Sequence, residues 1–572
     1  MRMFRLVVAL VACGAAPLAL AGSHAELLMP ANGASGVDRT VHPSVRLASA
    51  QAAATLTPGS LQLRSPIGTQ VSGLLQIRGE TATFEPAAPL AGCSRYTLQY
   101  RPAHATGVQP NRPDKPASSS FTTACSNWTP PTEIDDARTA RLTDRPASGV
   151  QLASSAAGEV VAAWFQNDGV RNAIEISRYA PATEFWSAPV AIDLRGPEAG
   201  AANIPALASD ARGEVTAVWF QALQGHNTIQ ARRLAADSDG PAPVRLDNPA
   251  LSGNATNPQP ATNAAGDVAV VWQQPDGRHT GIFASGFNAA TGHWQPAVAL
   301  DHSRANAYNP VVAAAADGGF IAAWQQGARG HEAVMAAVQR PDAAAHDATG
   351  SSRRTWTRPW RLSPPGMRAQ NPVLIGSPRG GMTVAWVQGS GALRRIAVRR
   401  IGAEPGSVAG RAEPVLLMHN PGFHGAALAP ALVSDAAGNV TLAWEQADVA
   451  TPAQARYAIL ASRFDAAKRR WSAPVQLDDP KQASAGNPVL VADAAGNVTA
   501  AWYQDGPRGL QVQAARYDPS TARWSAPTLL SDTRTTVEAS FPALAVDAAG
   551  SVTAAWQQYN GWRTIIMASR LP

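Results

Sequence analysis

Residues 434–446 read SDAAGNVTLAWEQ, and the phrase returns at 492–504 as ADAAGNVTAAWYQ and at 546–558 as VDAAGSVTAAWQQ. Each copy is a small-residue turn, then an alternating run that ends in tryptophan and, two residues on, glutamine. Aligned on that tryptophan, the chain shows eight copies: Trp164, Trp219, Trp272, Trp324, Trp386, Trp444, Trp502 and Trp556, spaced 52 to 62 residues apart. Glycine stands six residues before each, from Gly158 to Gly550, and glutamine two residues after each, from Gln166 to Gln558. Seven copies carry proline eight residues before the glycine, from Pro205 to Pro542; Val150 takes its place in the first.

Each repeat reads as four short strands: one after the proline, one through the tryptophan, one such as VQAARY and one such as WSAPTLL. The glycine supplies a positive φ in the first turn, and Asp435, Asp493 or Asp547 can hold that turn through its side chain. Four-stranded units of this length are the signature of a β-propeller. The eighth repeat stops at IIMASRLP, after its third strand, while TARLTD at 139–144 matches fourth-strand ends such as PVQLDD at 474–479. An N-terminal strand at 139–144 is therefore expected to complete the last blade and remove a sheet edge. The expected fold is all-β: an Ig-like β-sandwich over 24–126, a linker over 127–138 and an eight-bladed propeller over 139–572.

The sandwich expectation comes from SVRLASA, SLQLRS, TATFEP, YTLQYRP and SSFTTAC, β-type runs separated by Gly and Pro turns. PANGASGV, FEPAAPLAGCSRYTLQY and SFTTAC resemble the bacterial Ig-like domain of surface-layer and other exported proteins, which implies a spacer or adhesive module. HAELLMPANGA is also similar to the mature start of periplasmic copper-binding proteins. That resemblance implies His24 as a metal ligand, with His42 and His104 as further candidates, but the Asp-x-His signature is missing. No cofactor or metal is expected.

The first 21 residues, two arginines, an apolar run and then ALA, read as a signal peptide cleaved after Ala21, so the protein is expected to be secreted or periplasmic. LVAC at 10–13 resembles a lipobox and offers the alternative of a lipoprotein anchored at Cys13. Cys93 and Cys125, left in an oxidising compartment, are expected to pair as a disulfide. No later run approaches the roughly 20 apolar residues of a membrane span. A net charge of +6 over 572 residues, with 15% charged and 45% hydrophobic residues, is a weak field on a globular chain and excludes nucleic acid as a partner.

A tryptophan in the middle of a strand in every blade reads as packing between blades, and Trp186, Trp294, Trp356, Trp471 and Trp524 on the outer strand read the same way. The glutamines are expected to tie blades together. The architecture resembles that of sialidases, yet the sialidase Asp box places its aromatic three residues after glycine, where here the gap is six, and the arginine motif is missing. The innermost strands, from VQLAS at 150–154 to PALAV at 542–546, contribute no Asp or Glu, whereas glycoside hydrolysis generally needs two carboxyl groups about 5 to 10 Å apart.

Function is expected where the copies stop agreeing, in the turns after each Trp-x-Gln. Every one carries Arg or His: Arg171, His226, Arg278, His279, Arg329, His331, Arg394, Arg395, Arg456, Arg508 and Arg563, with Trp562 beside the last. A cationic ring on one face would bind an acidic glycan or a partner's carboxylates; ordinary solvated turns would look the same. Three functions remain open: a non-catalytic binding or adhesion module, a scaffold contacting envelope proteins, and a polysaccharide-acting hydrolase with loop-borne carboxylates.

Overall fold

The fold is taken from a computed structural model. It describes residues 25–572 apart from 48, 51–55, 88–89, 93, 102–116, 125–126, 136–144, 236–237, 347–351, 379, 403–412, 449–455 and 532–537. The leader, Cys13, His24, His104, Cys93 and Cys125 all lie outside the described residues, and so do the expected disulfide and the strand at 139–144. Among the described residues no helix is long and apolar enough to cross a membrane.

The N-terminal unit is a sandwich of two four-stranded sheets. One orders Ala25–Met29, Ser44–Leu47, Thr81–Pro86 and Gly73–Arg78; the other orders Ala34–Val37, Ala117–Thr123, Arg95–Tyr100 and Leu61–Arg64. Alternation along these strands sends every second side chain inward, so Val45, Leu47, Leu61, Leu63, Phe84, Leu98 and Phe121 form one core between the sheets.

Eight further sheets of four or five strands follow, one for each repeated tryptophan, here numbered blades 1 to 8. In each, the first three strands run as an antiparallel meander and short segments complete the outer edge. The innermost strands, Ala147–Ser154 in blade 1 through Ala539–Val546 in blade 8, neighbour one another in sequence order, and the last neighbours the first, so the ring closes. Each repeated tryptophan is fully buried against the preceding blade: Trp219 packs on Ala163, Ile174 and Ile192 of blade 1, and Trp164 packs on Ala543, Ala555 and Ile566 of blade 8.

Polar contacts repeat with the same period. The indole Nε1 donates to the Oε1 of the glutamine two residues on, at 3.0 Å for Trp164 and Trp556 and 3.2 Å for Trp219. The amide Nε2 of that glutamine donates to the end of the preceding blade, as Gln221 does to the Leu194 carbonyl at 3.0 Å and Gln446 to the Phe423 carbonyl at 3.0 Å. Trp502 departs from the pattern, its Nε1 having no partner among the described residues. Four of the five outer tryptophans meet a third-strand aromatic in a tilted or edge-on contact, as Trp186 meets Tyr179 and Trp471 meets Phe464 with ring centroids 5.6 Å apart. The turn aspartates hold their own turns, Asp435 accepting from Ala437 and Asn439. Asp435, Asp493 and Asp547 also pair with Arg463, Arg516 and Arg570. Arg463 and Arg570 then lie over Tyr517 and Tyr179 of the next blade, so a chain of cation–π contacts crosses the closure too.

The closing strand differs from the one expected at 139–144. Thr132–Glu133 pairs with Met567 and Ala568 at the open edge of blade 8. Thr129 exchanges hydrogen bonds with Ser569 and Arg570, Ile134 is buried beside Trp164, and Asp135 accepts the Ile566 N–H at 3.0 Å. Residues 127–135, read as linker, thus belong to blade 8.

The sandwich is also seated on the propeller rather than held away from it. Arg39 donates to the Leu90 carbonyl in its own domain and to the Ala549 carbonyl in the first turn of blade 8, at 2.7 and 2.8 Å. Asn497 of blade 7 donates to Ser94 Oγ at 2.8 Å, and Ala495 enters the sandwich core. Two turn glycines sit at this contact. A Cβ on Gly496 would lie 2.3 Å from Ile67, and one on Gly550 2.7 Å from Ala91, both at positive φ. The first turns of blades 7 and 8 are therefore covered. The opposite face, where second strands turn into third strands, is the one left to consider for function.

Candidate functional site

On that open face the cations divide into two groups. Arg171 pairs with Asp193 at 2.6 Å and donates to the carbonyls of Leu194 and Gly200, both at 2.7 Å. Arg456 pairs with Asp478 and donates to the Gln482 carbonyl at 2.9 Å. Arg563 pairs with Asp135 and with Glu133, the latter at 2.7 Å. Arg395 donates to the Gly425 carbonyl at 3.2 Å, and Arg394 to the Gly391 carbonyl at 3.0 Å. The rim expectation changes for Arg171, Arg395 and Arg563. Each starts a third strand and fastens it to the segment leading into the next blade, because an aspartate or free carbonyl there needs a donor.

The second group faces solvent on blades 3 and 4. Arg278, Arg329 and His331 are exposed, and among the described residues their side chains form no ion pair or hydrogen bond. His279 beside them lies 3.0 Å from Asp276, and His226 stands half-buried at the start of the third strand of blade 2. His302 and Arg304, exposed in the connection from blade 3 to blade 4, extend the same arc. Arg508 is exposed on the blade 7 turn, and Trp562, on blade 8, is 83% exposed.

The mouth of the central channel opens on this face, and its residues were missed from sequence. In every blade the residue just before the repeated proline, or before Val150 in blade 1, adopts a positive φ at a break in strand register: Gly149, Ile204, Asn257, Asn309, Asn371, Ala429, Asn487 and Phe541. Four of the eight are asparagine, which tolerates this conformation. Their partners are the residues directly after the repeated tryptophans. Gln273 accepts the Asn309 N–H at 3.2 Å, Gln325 the Asn371 N–H at 3.0 Å, Glu445 the Asn487 N–H at 2.7 Å and Gln557 the Gly149 N–H at 3.4 Å, each across a blade boundary. The signal was present, since the residue after an inward-packed tryptophan must point the other way.

Burial pushes the Glu445 carboxyl above the usual carboxylate range, opposed by the Asn487 N–H. A second perturbed acid lies under the blade 1 rim. Burial raises Glu175 to about 7 against the pull of Arg195, with Asp193 and Asp168 adding repulsion. A carboxyl raised in the fold holds its proton better there than in the unfolded chain. Its contribution is fully present below the ordinary value of 4.5 and is lost as pH rises through about 7. Glu175→Gln should therefore flatten the fall in stability across that window and leave the protein more stable at about pH 8 by on the order of 1–3 kcal/mol, read by urea denaturation on both sides of it.

His42 is exposed on the sandwich, and among the described residues no group of three or more His, Cys, Asp or Glu is placed to hold a metal.

Fold and face together define an all-β protein in which a bacterial Ig-like sandwich caps one side of a propeller. Residues 24–123 match the family model of the bacterial Ig-like domain. No curated protein matches the chain. Among solved structures, the chain is similar to a protein of unknown function from Dyadobacter fermentans at 11% identity, over 78% of this chain and 98% of that one, with a TM-score of 0.38. It is similar also to an ulvan-degrading polysaccharide lyase at 9% identity, over 74% and 93% of the two chains, TM-score 0.41. A third is the intramolecular trans-sialidase from Ruminococcus gnavus at 9% identity, over 74% and 94%, TM-score 0.29.

Proposed function

We propose that the protein is an exported, non-catalytic binding module whose open propeller face takes an acidic glycan. The observation that carries this reading is the arc of Arg278, Arg329 and His331, exposed and in no ion pair among the described residues, on the face opposite the seated sandwich. Unsatisfied cations on a rigid scaffold bind anions, and guanidinium groups match carboxylate or sulfate in a two-point geometry. Arginine accounts for all but three of the 47 basic residues, a balance that suits such recognition better than lysine would. The Ig-like domain then acts as a mount that fixes which face is presented.

The test is a screen of the mature protein against acidic and neutral glycans, repeated with the triple variant Arg278→Ala, Arg329→Ala, His331→Ala. Binding to an acidic polymer that weakens steeply with salt is expected in the wild type, with a loss of about 10- to 100-fold in the variant, one to two decades for three exposed charge contacts. Acidic-glycan binding that survives the triple substitution unchanged would sink the proposal.

A further inference from the structure

The channel mouth is divided. Over blades 3 to 5 it carries Asn257, Gln273, Asn309, Gln325 and Asn371, and after Val387 of blade 5 and Ala429 of blade 6 the polar side chains resume with Glu445 of blade 6 and Asn487 of blade 7. Asn309 Nδ2 donates to Asn371 Oδ1 at 2.9 Å, so the polar arc is linked from blade to blade. Over blades 7, 8, 1 and 2 most of the corresponding positions are aromatic or aliphatic, Tyr503, Phe541, Phe165, Ile204 and Phe220, with Gln557 of blade 8 and Gly149 of blade 1 between them. Phe541 stands edge-on to Tyr503, their ring centroids 6.5 Å apart.

Two members of the apolar arc are doubly unfavourable where they stand. Phe541 has φ 51° and Ile204 φ 52°, a conformation that bulky and β-branched residues rarely adopt. Both are also held in solvent, at 54% and 48% exposure. Five other blades fill the position with asparagine or glycine at no such cost and blade 6 with the small Ala429, so neither packing nor the turn requires a large apolar side chain there. Strain of this kind, kept in place by surrounding structure, is a mark of function.

We infer that the channel mouth binds one neutral pyranose unit, stacked on Phe541 and hydrogen-bonded through its ring hydroxyls by the Asn/Gln arc and Glu445. A pyranose has an apolar C–H face and a polar rim, and the mouth supplies an aromatic surface on one side and fixed amide donors and acceptors on the other. The inference rests on the open face being glycan-binding and adds the sugar that the cationic arc does not select: a chain with neutral residues beside its acidic ones.

The test is calorimetric titration of the full mature protein with malto-, cello-, xylo-, manno- and galacto-oligosaccharides and with oligogalacturonate. It is repeated for Phe541→Asn, which installs the residue of four other blades, and for the rim triple variant. At least one neutral oligosaccharide should bind with an affinity insensitive to salt. Phe541→Asn should weaken it about tenfold while raising the melting temperature, which separates a lost contact from a lost fold. The rim variant should leave it unchanged. No neutral binding at about 10 mM, or neutral binding unaltered by Phe541→Asn, overturns the inference. If the rim variant loses oligogalacturonate while no neutral sugar ever binds, the mouth inference fails and the acidic reading stands. If a neutral sugar binds through Phe541 and oligogalacturonate never does, the mouth inference stands and the acidic reading fails.

Discussion

Asp135→Ala should destabilise the propeller by about 3–5 kcal/mol, the loss seen when one partner of a buried ion pair is removed. Asp135 is buried; one carboxylate oxygen accepts the Ile566 N–H and the other pairs with Arg563. Burial pushes its carboxyl up and Arg563 pulls it down, so the charge is held by its partner rather than by water. Without it the guanidinium keeps Glu133 but loses its buried partner, and the Ile566 N–H loses its acceptor. The cost falls where the ring closes, because Thr132–Glu133 supplies the outer strand that blade 8 lacks. A urea titration of the full chain reads the effect. Asp135→Asn, which keeps an acceptor for Ile566, should fall between the variant and the wild type. A loss below about 1 kcal/mol in Asp135→Ala would show that closure does not depend on this strand.

The closing strand also shows how far the sequence leads and where it misleads. Residues 128–136, WTPPTEIDD, align without a gap on WSAPVQLDD at 471–479: tryptophan, hydroxyl residue, proline at the fourth position, then an apolar residue and two aspartates. TARLTD carries only the end of that phrase. The tryptophan decides between the two, since Trp128 packs on the cluster around Trp556 as the other outer tryptophans pack on their blades. The number of repeats, the burial of the eight tryptophans and the absence of carboxylates from the innermost strands were all legible, because each depends on period and alternation alone. The fate of the rim arginines was not. Arg171, Arg456 and Arg563 look like Arg278 in the sequence, and only the aspartate facing each of them, Asp193, Asp478 and Asp135, turns them inward. That pairing joins a third strand to a fourth some 20 residues away, or in blade 8 to the other end of the chain. Contact between the sandwich and blades 7 and 8 was equally hidden, for Gly496 and Gly550 occupy DAAG turns spelled like that of blade 6.

Trp219→Ala should cost about 3–5 kcal/mol, the range for removing a large buried aromatic side chain. The indole is completely buried between blades 1 and 2, against Ala163, Ile174, Ile176 and Ile192 on one side and Val215 and Ala217 on the other. Alanine, valine and isoleucine make up most of the blade 1 wall, with the partly buried Phe165 packed against it, so little besides that ring can move into the space and most of the cavity term should survive relaxation. The substitution also removes the indole N–H from Gln221, whose Oε1 still accepts from the Leu194 N–H and whose Nε2 still reaches the Leu194 carbonyl. The polar tie between blades therefore persists, and the loss measures packing. Trp294→Ala makes the comparison sharp: that ring is half-exposed at the blade edge and meets Phe287 in a tilted contact, ring centroids 5.4 Å apart, so its removal should cost clearly less. Trp562→Ala, removing an indole that packs on little of the protein, should leave the denaturation midpoint where it was. If all three variants lost equal stability, the division of tryptophans into inter-blade packing, edge packing and exposed surface would be wrong. If the order is Trp219 over Trp294 over Trp562, the repeated phrase is architecture, and Trp562 is the tryptophan of the three left free for a binding role.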